Sequence, residues 1–197
     1  MMKTNNEIEH IANDVLIKFV KRGGVYKVFD EIMLAEGIKF KEIPSVSKDF
    51  VGALTKGNNS QVYIIINKNI DNLGRKNFTI AHELGHHFLC HQLHQNLGFC
   101  TVNDITEEGH QQNPIEREAN YFASCLLMPE EKIKSAFLGM LERSRKAKIK
   151  DFLYVKNDYT FGIWILIRDE LTKRYGVSEA ALRYRLQQLK LARFEFL

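Results

Sequence analysis

Apolar residues recur every three or four positions in much of the chain, and this spacing is typical of amphipathic helices. The first example covers residues 6–21, where the apolar stripe runs from Ile8 to Val20 and Gly23-Gly24 ends the pattern. The same spacing, read together with capping residues and glycines, predicts further helices along the chain. These lie at about residues 25–35, 77–93, 114–127, 130–149, 161–175 and 178–191.

Between the first helices and the later ones, the pattern changes to the shorter period of β-strands. Residues 38–43 alternate apolar and charged side chains before Pro44, which predicts a half-buried strand. Apolar stretches at 51–54 and 61–67 flank the turn residues Gly57-Asn58-Asn59. Because such turn residues connect antiparallel neighbours, these two stretches predict a β-hairpin.

The order of these elements predicts an α+β fold: helices, then a small antiparallel sheet of about three strands beside the helix at 77–93, then helices again. The polar stretch 95–112 is expected to be a loop. The chain has 197 residues, of which 45% are apolar and 26% charged, and these values are typical of one globular domain. Within that domain, 1–197, we expect a core at about 1–130 and a basic helical part at 131–197.

The composition also bears on where the protein works. The longest nearly continuous apolar run, Phe161–Ile167, is much shorter than the roughly 20 residues that a membrane span needs. The first residues are polar and charged, unlike a secretory signal peptide. The cysteines, Cys90, Cys100 and Cys125, contain no CxxC pair, which fits a reducing compartment. We therefore expect a cytoplasmic protein with no membrane partner, and we expect Cys90 and Cys125 to be small buried side chains.

The distribution of charge raises the possibility of DNA binding. Residues 131–197 carry a net charge of +7, whereas residues 1–130 carry −3. Within the basic part, residues 161–190 have a helix-turn-helix-like pattern, with Gly176 ending one helix and Ser178 capping the next. The second helix carries the polar residues Arg183, Arg185, Gln187, Gln188 and Lys190. The alternative is a helical hairpin that closes the core and buries Val177, Ala181, Leu182, Leu186 and Leu189.

The motif with the clearest chemistry is HExxH, at His82-Glu83-Leu84-Gly85-His86. Positions i and i+4 share one helix face, so both imidazoles can reach one zinc ion. Glu83 lies next to that face and can act as general base towards a zinc-bound water. Gly85 costs about 1 kcal/mol in a helix relative to alanine, which predicts a packing reason for it.

A catalytic zinc site needs a third protein ligand. The extended pattern HExxHxxGxxH is excluded, because this chain has Leu89 and Gln92 where that pattern has glycine and histidine. The remaining option is a glutamate from the helix that begins after Asn113, which offers Glu116 and Glu118. These two residues point to different sides of the helix, and the spacing alone leaves both possible.

Two segments resemble a known family. The sequences FTIAHELGH (Phe78–His86) and EREANYFASCLLMP (Glu116–Pro129) are similar to those of the metallopeptidases named after ImmA and IrrE, which are cytoplasmic gluzincins. The resemblance implies one Zn²⁺ per chain with Glu116 as the third ligand, and it implies that Asn120 supports one of the histidines. Family members often carry the histidine that is His91 here one position earlier. Four further histidines without ligand spacing are expected to be exposed or structural: His87, His91, His94 and His110.

The resemblance also implies a function. We expect a zinc-dependent endopeptidase that cleaves a helix-turn-helix repressor and thereby controls genes of a mobile element or a stress response. A substrate peptide would pair with the strand at 61–67, with Tyr63 and Ile65 as contact residues, if that strand lies at a sheet edge instead of its centre. The alternative is a DNA-binding or sensor module with a structural or vestigial zinc site. Glu83 favours the enzyme, because a purely structural site needs only ligands.

Overall fold

Seven α-helices and six short strands make up the part of the chain described by the computed structural model, which covers residues 2–20, 25–44, 47, 50–57, 59–91, 98–101, 113–144 and 151–195. The helices are α1 (Asn5–Phe19), α2 (Phe29–Ala35), α3 (Leu73–Phe88), α4 (Pro114–Leu127), α5 (Glu130–Arg143), α6 (Asp158–Tyr175) and α7 (Glu179–Gln188). The strands are β1 (Lys39–Ile43), β2 (Phe50–Lys56), β3 (Val62–Asn67), β4 (Gly98–Thr101), β5 (Leu153–Val155) and β6 (Ala192–Phe194). All the predicted helices are found: α4 has the predicted bounds, the others differ at their ends, and residues 25–27 form a short 3₁₀ helix before α2.

Local capping explains where the two central helices begin. The Asn72 side chain accepts a hydrogen bond from the backbone N–H of Arg75, so α3 begins four residues before the predicted start at 77. Asn113 caps α4 in the same way. Pro114 occupies the first turn of α4, where it is tolerated because backbone N–H groups at that position make no hydrogen bond within the helix. Both ends are therefore set by short-range side-chain chemistry.

The first sheet has the strand order β1-β3-β2-β4. The predicted hairpin is confirmed, because β2 and β3 pair antiparallel. The sheet is mixed instead of wholly antiparallel, however, since β1 lies on the far side of β3 and runs parallel to it. Strand β4 adds a fourth strand and lies within the stretch predicted to be a loop. The α+β class is confirmed.

A second, two-stranded sheet joins β5 to β6 in parallel. Neither strand was predicted, because each has only three residues and shows no clear alternation. Between them lie α6 and α7, which form the predicted helical hairpin. Gly176 ends α6 in the left-handed conformation, and the Ser178 side chain caps α7.

Helix α3 packs against α4 on one side and against β2 and β3 on another. Two glycines permit this close packing. A Cβ at Gly85 would lie 3.0 Å from the backbone oxygen of Ala119 on α4, which is the packing reason predicted for this glycine. A Cβ at Gly52 on β2 would lie 2.7 Å from the side chain of Thr79 on α3. Helix α3 is therefore held between the sheet and α4.

The buried apolar side chains form one continuous cluster that includes residues from both the 1–130 part and the 131–197 part. From α6 and α7, the cluster contains Trp164, Leu182 and Leu186, all fully buried. The hairpin therefore packs against the rest of the molecule, as the helical-hairpin alternative predicted. No helix in the described ranges is both long enough and apolar enough to cross a bilayer.

Candidate metal centre

Three potential metal ligands meet between α3 and α4. His82 and His86, one turn apart on α3, place their Nε2 atoms 3.0 Å from each other. Glu116, in the first turn of α4, places Oε2 at 3.0 Å from His82 Nε2 and 3.4 Å from His86 Nε2. In the described part of the chain, these residues are the cluster of histidine, cysteine and acidic side chains that could hold a metal ion.

The dimensions of this triangle fit zinc. Bonds of about 2.0–2.1 Å in tetrahedral directions place neighbouring ligand atoms about 3.3–3.4 Å apart. The observed separations of 3.0 and 3.4 Å are close to that value. Two imidazole nitrogens and one carboxylate oxygen are also the donor set of many catalytic zinc sites, and three protein ligands leave a fourth position for water or substrate.

The protonation states of these groups suit a cation. Burial raises the pKa of Glu116, but the adjacent His82 and His86 side chains outweigh this effect and hold that pKa well below its usual range. Burial lowers the pKa of His86, and its contact with Glu116 only partly offsets this effect. The cluster therefore contains an ionised carboxylate and a neutral imidazole at neutral pH, which are the forms that bind metals.

Glu83 is buried next to this cluster, with 1% of its surface exposed. It follows His82 on α3 and faces strand β2, where an added Cβ at Gly52 would lie 3.2 Å from Glu83 Oε1. A side chain larger than glycine at position 52 would press on this carboxylate. Because Gly52 has no side chain, β2 can approach α3 closely and still leave room for the Glu83 carboxylate beside the candidate ligands.

Asn120 lies next to His82. The Nδ1 atom of His82 is 2.8 Å from Asn120 Oδ1, and both residues are fully buried. An amide oxygen can only accept, so Nδ1 of His82 carries the proton and Nε2 is left with a lone pair directed at the ligand cluster.

Glu118 does not contact the candidate ligand atoms of His82 and His86. Its Oε2 lies 3.1 Å from His91 Nε2, and His91 Nδ1 in turn lies 3.0 Å from His86 Nδ1. Of the two glutamates that the spacing left open, the structure therefore brings Glu116 to the histidine pair and places Glu118 behind it. The side chain of Glu118 is 4% exposed and that of His91 is 8% exposed.

His91 was predicted only as an exposed or structural histidine, and its contact with His86 was missed. The reason lies in the end of α3. The N–H of His91 donates to the carbonyl of His86 and the N–H of Cys90 donates to that of His87, which is a Schellman motif. Cys90 takes the left-handed conformation with φ 57° that glycine usually supplies there, so the sequence carried no glycine signal for this turn.

The predicted peptide-binding role of Tyr63 and Ile65 does not hold. Both residues lie on β3, which pairs with β1 on one side and with β2 on the other, so its backbone has no open edge. The alternative of a central strand is the one observed. The edges of this sheet, within the described residues, are β1 and β4.

Three other residues that the sequence analysis named, Cys90, Cys125 and His87, lie outside the ligand cluster. Cys125 is buried as predicted, whereas Cys90 is exposed because it lies in the turn after α3. His87 contacts Glu36 at 3.4 Å and not the ligand cluster. His94 and His110 lie outside the described residues.

Comparison with known proteins identifies related sequences and folds. The model of a peptidase family, M78, described as the IrrE N-terminal-like domain, matches residues 36–187. No curated protein matches the chain. Among solved structures, the fold is similar to that of a Mycobacterium tuberculosis transcriptional regulator, with a TM-score of 0.53 and 17% identity over 93% of this chain and 48% of that one. The chain therefore spans about half the length of that regulator.

Proposed function

This chain belongs to the M78 peptidase family of IrrE N-terminal-like domains, and we propose that it is a zinc-dependent endopeptidase. In this proposal His82, His86 and Glu116 hold one Zn²⁺, and Glu83 is the general base. The observation that carries the proposal is the triangle of two imidazole nitrogens and one carboxylate oxygen, 3.0–3.4 Å apart, beside a buried glutamate that is not one of the ligands. A structural site would have no use for that glutamate.

The division of labour follows from these positions. When bound, zinc supplies Lewis-acid chemistry to a water molecule and a peptide carbonyl. Glu83 accepts the proton of the attacking water and then delivers it to the nitrogen of the leaving amine, so it serves first as base and then as acid. The burial of Glu83 keeps bulk water away from this proton transfer.

The sheet supports a path for the substrate peptide. In the part of the chain that the structure describes, β4 pairs with β2 on one side and forms the end of the sheet on the other. Strand β2 in turn approaches the Glu83 carboxylate at Gly52. An extended peptide that adds to β4 through backbone hydrogen bonds would lie along the edge next to the strand that contacts Glu83.

The substrate class remains the one that the resemblance implied, a helix-turn-helix repressor in the cytoplasm whose cleavage switches on genes of a mobile element or a stress response. The named function of the solved neighbour, transcriptional regulation, is in keeping with this class. Direct reading of DNA by α7 is disfavoured, because Arg185, one of its predicted contact residues, is fully buried and donates to Met128 O. The alternative of a sensor with a vestigial site differs from the enzyme in the role of Glu83.

The experiment combines metal content with a search for cleavage products. We expect the wild-type protein, purified without chelator, to contain about one zinc per chain by elemental analysis. Glu116→Ala should lose the metal, whereas Glu83→Gln should keep it, because Glu83 is not a ligand. Glu31→Ala, which changes an exposed carboxylate on α2, is the matched control and should retain zinc.

The same proteins are then incubated with a proteome of the source cells, and new protein N-termini are identified by mass spectrometry. New termini that form with the wild type and Glu31→Ala, but not with Glu83→Gln, would support the peptidase. A wild-type protein without stoichiometric zinc would overturn the proposed centre. If the wild type and Glu83→Gln both contain zinc and both give the same set of protein N-termini, the result would favour the sensor.

A further inference from the structure

A hydrogen-bonded chain of side chains leads from the candidate ligand His86 to the N-terminal segment of the protein. His86 Nδ1 lies 3.0 Å from His91 Nδ1, and His91 Nε2 lies 3.1 Å from Glu118 Oε2. The other oxygen of this carboxylate, Oε1, accepts from the backbone N–H of Lys3 at 2.7 Å. The Lys3 side chain also donates to the carbonyl of Leu89, at the end of α3, at 2.6 Å.

The chemistry of these groups gives the chain one consistent direction. The Glu118 carboxylate accepts at both oxygens, from the backbone N–H of Lys3 and from Nε2 of His91. A neutral His91 then offers the lone pair of Nδ1, and His86 donates to it from its own Nδ1. This leaves the lone pair of His86 on Nε2, the atom that lies 3.0 Å from His82 Nε2 in the ligand cluster. Every step therefore selects the tautomer of His86 that can bind a metal.

The backbone explains how these residues come together. The Schellman motif after α3 turns the chain back, so His91 lies against the helix turn that carries His86. Glu118 comes from α4, two residues after Glu116. Lys3 precedes α1, which packs against α4, and it lies outside the region 36–187 that matches the family model.

We propose that His91 and Glu118 are positioning residues that hold His86 in its metal-binding orientation and tautomer, and that the N-terminal segment at Lys3 completes this support. The inference rests on the proposed metal centre. It assigns to Glu118 a different task from that of Glu116: one carboxylate contacts the metal, and the other orients an imidazole through a second imidazole. The Nδ1 atom of the other candidate histidine ligand, His82, contacts the amide oxygen of Asn120.

The first test measures zinc affinity by competition with a chromophoric chelator. His91→Phe removes both hydrogen bonds while keeping a ring, and Glu118→Gln keeps the shape but removes the charge. Loss of such supporting groups typically weakens metal binding 10–100-fold, and we expect losses of about that size. His87→Phe is the matched control, because His87 is on the same helix but contacts Glu36, and its zinc affinity should equal that of the wild type.

Two further measurements separate positioning from a general loss of structure. Thermal unfolding of the metal-free variants reports whether they fold, and the visible absorption of bound Co²⁺ reports the ligand geometry. We expect His91→Phe and Glu118→Gln to change the Co²⁺ spectrum, whereas His87→Phe should leave it unchanged. If His91→Phe does not fold, the positioning role is tested by Glu118→Gln and by a pair of Lys3 substitutions, Lys3→Pro and Lys3→Ala.

The Lys3 pair tests the N-terminal contribution. Lys3→Pro removes the backbone N–H that donates to Glu118, whereas Lys3→Ala keeps it and removes only the side chain. We expect Lys3→Pro to bind zinc more weakly than Lys3→Ala. Folded His91→Phe and Glu118→Gln proteins with wild-type affinity and spectrum would overturn the inference but not the zinc centre. A wild-type protein that binds no zinc would overturn both.

Discussion

Two buried clusters of charged and polar residues in this protein have different roles. The site cluster contains His82, Glu83, His86 and Glu116 between α3 and α4. The α7 anchor contains Arg185, whose Nη2 lies 3.1 Å from Glu9 Oε1 on α1 and whose Nε donates to the carbonyl of Met128 after α4 at 3.1 Å. Arg185 is fully buried, like His82.

The difference lies in where the polar atoms point. In the α7 anchor, one guanidinium on α7 contacts α1 and the residue that follows α4, so it links three parts of the fold. In the site cluster, atoms from two helices converge on one point, where a cation can replace the contacts among them. Buried polar groups of the first kind hold the fold together, and those of the second kind are arranged for a ligand. Substitutions in the two clusters should therefore affect different measurements.

The largest effect on stability is expected in the α7 anchor. Arg185→Ala removes a fully buried guanidinium together with its ion pair to the partly exposed Glu9 and its hydrogen bond to Met128 O, and we expect the free energy of unfolding to fall by about 2–5 kcal/mol. Chemical denaturation should show that loss, whereas Gln187→Ala, at an exposed position on the same helix, should change little. The zinc affinity of the folded Arg185→Ala protein should match the wild type. A parallel loss of zinc affinity would mean that the two clusters are coupled.

The next effect is expected in the site cluster, at Asn120. Asn120→Ala removes the oxygen that accepts from His82 Nδ1, and we expect zinc affinity to fall about 10–100-fold. Asn120→Asp keeps an acceptor at the same place and should retain more of the affinity than Asn120→Ala. Chelator competition measures both variants. Equal affinities for wild type and Asn120→Ala would show that His82 is oriented without this contact.

Gly85 tests whether the close approach of α3 and α4 serves both folding and the site. A side chain at this position would press against the backbone of Ala119, and overpacking of this kind typically costs about 1–3 kcal/mol. Gly85→Val should therefore lower the free energy of unfolding and also weaken zinc binding, because it moves the helix that carries Glu116. Gly139→Val, at a helix position with open space, is the control for β-branching. Unchanged zinc affinity in Gly85→Val would show that zinc binding does not depend on the close packing of α3 against α4.

The smallest effect concerns Cys125, which lies near the α7 anchor. Burial raises the pKa of the Cys125 thiol to about 12, and the nearby Arg185 only partly offsets this effect. Because a raised pKa keeps the thiol protonated, and the thiolate is the reactive form, alkylation of Cys125 should stay slow from about pH 7 to pH 10. In a Cys100→Ser background, mass spectrometry should find iodoacetamide on the exposed Cys90 and, in the native state, not on Cys125. Rapid labelling of both cysteines would show that this side of the core opens readily.

Much of the fold could be predicted because its signals are local. The helices follow from apolar spacing and from capping residues such as Asn113, and the β2–β3 hairpin follows from two apolar runs around a turn. The convergence of His82 and His86 follows from helical periodicity alone. The partners of β1, the addition of β4 and the β5–β6 pair could not be predicted, because strand neighbours depend on contacts between distant segments.

The same division applies to the candidate site. The sequence by itself determined the HExxH pair, the position of Glu83 next to it and the presence of two glutamates on the following helix. The spacing left both glutamates possible and the family resemblance implied Glu116; the rotation of α4 against Gly85 of α3 brings that residue to the histidines. The tertiary structure also decided that Arg185 is buried and that His91 contacts His86. These outcomes depend on the packing of helices and on a turn with an unusual residue, and neither leaves a periodic pattern in the chain.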